Sequence, residues 1–328
     1  MPAEVVVNSV LGTDAAAAGA VLMSESIFAV MPGADLVPEV TIDRAEVFQT
    51  LRRALEDFRV LGGGTIVDLG GLTTGRDAEQ LALLSEVTGI QIIASTGFGP
   101  VWTVGSHFTN NVSEGGMTVD RIADIFRREI TEGLLAPPRE RTDGRAGIVS
   151  LTAAPDAGPF EADVFRAGAR AAVATGSAVS VRVVDDAAAA LAIVEDEGVD
   201  PGRVIVGGLD RRGHLEAGLP LALAERGYVV GLDHVGWPEQ TGYAAADARV
   251  SAVLDLFERG LGDRVIVSSS AIGVAVELPA PVHGDFGGVL RDFVPALRAA
   301  GGTDAHVTQM LETTPRRLLG IADTVRED

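Results

Sequence analysis

Short runs of β-branched residues alternate along this chain with longer stretches in which apolar side chains return every three or four positions. These are the two periods that separate strands from helices. The β-branched runs predict strands at 21–23, 65–69, 91–95, 147–151, 178–183, 203–207, 228–232 and 264–268. Between them, amphipathic spacing predicts helices at 44–59, 77–88, 119–132, 161–175, 187–197, 219–226 and 247–259. Six of these run into a glycine (Gly89, Gly133, Gly176, Gly198, Gly227, Gly260), the residue suited to the left-handed turn that ends a helix. Strands alternating with helices feed a parallel sheet, and eight such units favour a single (β/α)8 TIM barrel over an open doubly wound sheet. No linker rich in proline, serine or charge interrupts the series, so residues 1–328 read as one domain.

Residues 4–10 form an extended apolar run ahead of the first unit and are expected to cover the N-terminal end of the barrel. From Phe293 onward the pattern is helical, with Pro315 near a helix start. The run Gly62-Gly63-Gly64 precedes a strand, whereas a phosphate-cradling loop follows a strand and opens a helix; the run is therefore read as a tight turn.

Composition narrows the chemistry. A formal net charge of −20 and a pI near 4.6 set this surface against polyanions, so neither nucleic acid nor an anionic membrane is an expected partner. There is no cysteine, which removes disulfides, thiolate catalysis and cysteine-bound zinc. All 26 basic residues are arginine, so no Schiff-base, P-loop or carbamylated lysine exists in this sequence. The segment Met1-Pro2-Ala3-Glu4 shows no basic start to a leader, and no apolar run is long enough to span a bilayer, so a cytoplasmic location is the expectation.

Certain stretches are more specific. Val10-Leu11-Gly12 with Val21-Leu22-Met23-Ser24-Glu25-Ser26, Thr65-Ile66-Val67-Asp68 with Gly75-Arg76-Asp77, and Thr96-Gly97-Phe98 stand in order along the chain. They are followed by Glu129-Ile130-Thr131-Glu132-Gly133, Gly198-Val199-Asp200-Pro201, Leu223-Ala224-Glu225-Arg226-Gly227 and Thr314-Pro315-Arg316-Arg317-Leu318-Leu319. Together they resemble the phosphotriesterase family, collinearly over nearly the whole chain. The resemblance implies a TIM barrel, a dimer of identical chains, and hydrolysis of phosphate esters, lactones and related esters by two divalent metals. It also implies where the ligands stand: a His-x-His pair after strand 1, a carbamylated lysine on strand 4, histidines on strands 5 and 6, and an aspartate after strand 8.

At each of those positions this chain carries something else. The histidine pair is Ser24 and Ser26, the lysine is Ser150, the two histidines are Arg182 and Gly208, and the aspartate is Ser270. None is an ordinary zinc donor, and a guanidinium repels cations. The five histidines, His107, His214, His234, His283 and His306, are scattered singly. Glu25, Asp210, Asp233 and His234 are the remaining candidates for a single ion, although strand alternation turns Glu25 away from the side on which Ser24 and Ser26 lie.

A decayed site would be expected to fill with leucine, valine or phenylalanine; hydroxyls, a glycine and an arginine instead predict a polar, hydrated mouth. Arg182 is the expected anchor for a small organic anion, with Ser24, Ser26, Ser150, Asp210 and Ser270 as further binding residues. The competing reading pairs Arg182 with Asp68, Asp210 or Asp233. His234 with Asp233 is the candidate for acid/base catalysis without a cofactor, and a serine nucleophile would need that imidazole within reach. The run Ser268-Ser269-Ser270 is read as a strand end meeting solvent or backbone. Trp102 and Trp237, in the loops after strands 3 and 7, are expected to wall the mouth. The sequence therefore points to a metal-free binder of a small anion; the alternatives are a catalytically silent interaction partner and an ester hydrolase with an unorthodox site.

Overall fold

The computed structural model describes residues 5–14, 16–34, 37–40, 42–109, 117–136, 140–153, 158–183, 187–278 and 285–322. His283 and the prolines beside it lie outside these residues. Eight parallel staves make the barrel: β1 (Ala20–Val30), β2 (Gly63–Asp68), β3 (Gln91–Thr96), β4 (Ile148–Ala153), β5 (Ala178–Val183), β6 (Val204–Gly207), β7 (Val229–Leu232) and β8 (Val265–Val267). The main helices between them are α1 (Arg44–Val60), α2 (Ala78–Thr88), α3 (Val119–Thr131), α4 (Pro159–Thr175), α5 (Ala188–Asp196), α6 (Leu219–Glu225) and α7 (Ala246–Glu258). Each predicted strand and helix is present, and the ends differ by a few residues, except that β1 runs well beyond its predicted end. Helix ends follow local chemistry: Asp43 and Asp77 accept backbone N–H groups at the starts of α1 and α2, and Gly89 closes α2 with φ of 69°.

Sequence pattern did not show how the barrel closes. β8 pairs with β7, but a further strand, β9 (Ile272–Val276), is the one that pairs in parallel with β1, through Ile272↔Ser26 and Val276↔Val30. The eighth stave is thus broken in two, and residues 268–271 form a corner between the halves. β1 answers with an irregularity of register between Leu22 and Glu25.

Alternation along the staves sorts the interior into layers. The lowest is apolar: Val21, Met23, Val67, Ile93, Ile148, Ala178, Ile205, Val229 and Ile266 pack together with Val7, Leu318 and Leu319. Val7 belongs to the N-terminal hairpin (Val5–Ser9 with Gly12–Asp14), so this segment plugs the barrel base as expected, joined by the last helix. Two residues further along six of the staves stand Ser95, Ser150, Ser180, Gly207, Gly231 and Ser268, small or hydroxylic side chains above an apolar floor. The site described next lies on this layer and the one above it.

Candidate functional site

At the C-terminal end of the barrel, four of the expected residues converge. Ser24 Oγ donates to Asp233 Oδ2 at 2.8 Å and lies 3.4 Å from Ser270 Oγ, and Arg182 Nη2 donates to Ser24 Oγ at 3.4 Å. Arg182 is held on β5 in register with Thr152 of β4 and Gly207 of β6. Its guanidinium is half-buried, and among the described residues it pairs with no carboxylate within 4.0 Å. The expected alternative, a buried ion pair with Asp68, Asp210 or Asp233, is not formed, although Asp233 is near enough for the two charges to stabilise one another.

Asp233 folds inward because there is room beneath it. A Cβ on Gly207 would stand 2.5 Å from Asp233 Oδ2, so only glycine fits below that carboxylate. Oδ1 accepts the Gly208 N–H at 2.7 Å, which leaves Gly208 a backbone donor to the site in place of the side chain implied by resemblance.

His234 is 4% exposed, and its Nδ1 is clamped between Asp233 Oδ1 and Asp210 Oδ1, at 3.0 Å from each. Tyr243 stacks on the imidazole at 3.8 Å between ring centres, and Trp237 meets both rings edge-on. Burial alone disfavours a charged imidazole, yet the Asp233 charge and the hydrogen bonds that the imidazole donates to both carboxylates outweigh it and raise the His234 pKa above the usual range. For Asp233, burial likewise works against charge, and the His234 cation with Arg182 and Gly208 overcomes it and lowers the pKa. The two shifts favour one arrangement, an imidazolium held against a carboxylate, which suits His234 to the acid side of the acid/base role expected of it. Among the described residues no serine hydroxyl bonds to the His234 imidazole; Ser24 bonds to Asp233.

Asp210 is fully buried beside the imidazole; its Oδ2 takes the His234 backbone N–H at 2.9 Å and Arg249 Nε at 2.7 Å. Sequence reasoning missed Arg249, whose signal is a cation on the apolar stripe of α7 with Val253 and Leu256. Ser150 donates to the Leu69 carbonyl at 3.2 Å and has Ser180 as its registered neighbour, while Ser26 lies beside Gly70; both belong to the β1–β2–β4 side of the mouth. Trp237 anchors to the Ser269 carbonyl at 2.7 Å and walls the site, whereas Trp102, 61% exposed, stands outside the network. Ser268, Ser269 and Ser270 are buried, so of the two surroundings expected for this strand end, solvent or backbone, solvent is excluded, and Ser268 Oγ accepts the Met23 N–H.

Glu25 is engaged with backbone donors. It is fully buried at the seam between β1 and the corner, where Oε1 accepts Ser269 N–H at 2.8 Å and Oε2 accepts Ala271 N–H at 2.6 Å. The register irregularity in β1 is what turns it there.

The metal centre implied by resemblance can be tested against these residues. Four hydroxyls, a missing side chain and a guanidinium 3.4 Å from one of those hydroxyls do not fit a pair of divalent cations. Asp210, Asp233 and His234 do bring donor atoms within 4.8 Å of one another, a spacing that could hold one ion. To enter, an ion would have to displace the Nδ1 proton shared by both carboxylates and sit against the Arg249 guanidinium.

Comparison with known proteins agrees with this architecture. A sequence model described as the phosphotriesterase family matches residues 5–319. A phosphotriesterase homology protein of Mycobacterium tuberculosis is 28% identical over 93% of this chain and 94% of its own, and one of Escherichia coli is 26% identical over 83% and 89%. An N-acetyltaurine hydrolase of Dictyostelium discoideum is 25% identical over 82% of this chain and 72% of its own. Among solved structures, an organophosphorus hydrolase from Deinococcus radiodurans superposes with a TM-score of 0.84 at 25% identity, covering 97% of this chain and 98% of that one. No described helix is long and apolar enough to cross a membrane.

Proposed function

The chain belongs to the phosphotriesterase family, and from that premise we propose that its barrel mouth works without the family's metal pair, binding a small organic anion on Arg182. One observation carries the reading: a half-buried guanidinium, unpaired with any described carboxylate within 4.0 Å, stands among the hydroxyls of Ser24 and Ser270. A guanidinium in such a place offers a planar fork of donors to a carboxylate or phosphate. His234 then supplies any proton chemistry, as an acid whose cationic form Asp210 and Asp233 favour. Hydrolysis, the activity in the names of several relatives, would have to proceed here by water attacking a bound ester or amide as His234 protonates the departing oxygen or nitrogen, the water's proton then restoring the imidazolium. A cytoplasmic dimer of identical chains belongs to the same reading.

Thermal denaturation with and without inorganic phosphate or acetate tests it. Ligand at 100 times its dissociation constant stabilises the fold by about 2.7 kcal/mol, and Arg182→Ala abolishes the part of that shift that is due to site binding. The comparison with the variant is needed because phosphate also stabilises folded proteins non-specifically. An equal shift in both proteins refutes the anion site.

The second reading is one ion on Asp210, Asp233 and His234, favoured by their spacing. Metal analysis of the purified chain separates the two. One tightly held equivalent, lost in His234→Ala, would support the ion, and two equivalents would overturn the metal-independent reading altogether.

A further inference from the structure

Ser270 is one of two residues other than glycine among those described with positive φ, at 44°, and it is buried at the mouth with its hydroxyl 3.4 Å from Ser24 Oγ. A side chain in the left-handed region is strained, and such strain persists only where the surroundings enforce it. The enforcing group is visible. The residues on either side, Ser269 and Ala271, both give their N–H to the two oxygens of one carboxylate, that of Glu25. The corner is tied down further by Ser268 Oγ, which accepts the Met23 N–H at 2.7 Å, and by the Ala271 carbonyl, which accepts the Ser26 N–H at 2.8 Å. Glu25 thus stands in for ladder bonds that the broken eighth stave does not make, and it clamps the corner through the backbone on both sides of Ser270.

We propose that Glu25 is a positioning residue for the anion site: by gripping the N–H groups on both sides of Ser270, it holds that hydroxyl in the left-handed corner where, with Ser24, it meets the anion carried by Arg182. The proposal rests on the anion reading given above. Glu25 itself touches no ligand, since its carboxylate is wholly buried and both its oxygens are engaged with the backbone. Replacing it by glutamine keeps the shape but turns an amide NH2 against one of the two backbone donors, so one grip is lost.

A double-mutant cycle tests this. The dissociation constant for inorganic phosphate is measured by titration calorimetry, at fixed ionic strength, for the native chain, Glu25→Gln, Ser270→Gly, the double variant and Arg182→Ala. Glycine adopts positive φ freely, so Ser270→Gly keeps the corner while deleting the hydroxyl. Each single change is expected to weaken phosphate about tenfold, and the double variant is also expected to show about tenfold, because both act through one hydroxyl. A purely structural Glu25 would lower the melting temperature and leave the dissociation constant native; that result overturns the proposal. Additive losses, about a hundredfold in the double variant, overturn it as well. If Glu25→Gln does not fold, Glu25→Asp, whose shorter carboxylate reaches only one of the two N–H groups, takes its place in the cycle with the same expectations. Phosphate binding that survives Arg182→Ala, or native protein that binds no phosphate, refutes the anion reading itself. Loss with Arg182→Ala but not with the Glu25 variant refutes the positioning role alone.

Discussion

Nδ1 of His234 lies 3.0 Å from Oδ1 of Asp233, and the two are neighbours in the chain at the end of β7. The contact fixes the sign of a pH effect. The His234 pKa is raised from 6.5, so its contribution is complete below that value and is lost as pH rises through the folded pKa. Asp233, lowered from 3.8, contributes above that value and loses its contribution as pH falls through the folded pKa. Both are therefore complete between 3.8 and 6.5. His234→Asn, which keeps a donor but no charge, is expected to be destabilised most inside that window. The deficit should shrink as the medium becomes alkaline, in urea denaturation repeated across pH. A deficit independent of pH would contradict the imidazolium assignment.

Gly207 offers a sharper steric test. A methyl group there would stand 2.5 Å from Asp233 Oδ2 and cannot be accommodated without moving the carboxylate. Gly207→Ala is expected to cost roughly 1–3 kcal/mol as an overpacked interior. It should also lower the His234 pKa, because the displaced carboxylate stabilises the imidazolium less, and an NMR titration of the imidazole reads that shift. Gly213→Ala, where nothing lies within 4 Å, serves as the control.

Periodicity alone revealed eight staves and the helices between them, because a strand buried on both faces and an amphipathic helix each write a local signature. It did not reveal the broken eighth stave. Nothing local marks residues 268–271 as a corner, since three serines serve equally well in a strand end, and the tie that makes the corner comes from Glu25, more than 240 residues away. Alternation could turn Glu25 away from Ser24 and Ser26 but could not show what its carboxylate meets, because the register of β1 is irregular there and the partners lie at the far end of the sequence. Arg182, Ser24, Asp233 and Ser270 were found because resemblance fixes where the mouth lies. Arg249 and Tyr243 were missed because they reach the site from α7 and from the loop before it, and only the fold brings those near β7.

Arg76 and Glu129 form a pair of a different kind, with side chains 2% and 0% exposed. Arg76 Nη1 bonds to Glu129 Oε2 and to the Ser95 carbonyl, each at 2.9 Å, tying the loop after β2 to α3 and β3. Removing one partner strands a buried charge, so Glu129→Ala is expected to cost about 3–5 kcal/mol. Arg44→Ala, which breaks an exposed pair with Asp77, should cost less than about 1 kcal/mol. Chemical denaturation of the two variants compares them directly, and similar losses would contradict a charge pair sealed from water.

Glu25 yields the last prediction. Burial pushes its pKa up to about 8 from 4.5; the N–H groups of Ser269 and Ala271 pull it down, Asp233 pushes it up, and Arg182 lowers it. A carboxyl raised in this way takes up a proton on folding, so its contribution is complete below 4.5 and is lost as pH climbs through about 8. The limiting slope for one such group is about 1.4 kcal/mol per pH unit. His234 has the same sign but acts only above 6.5, and Asp68, also raised by burial, begins at 3.8. The interval between 4.5 and 6.5 therefore excludes His234, and comparison with Glu25→Gln removes Asp68, which both proteins share. Native protein should lose stability across that interval more steeply than the variant. Parallel curves would mean that the two backbone donors keep Glu25 ionised, and the seam would then be closed by a charge and not by a neutral acid.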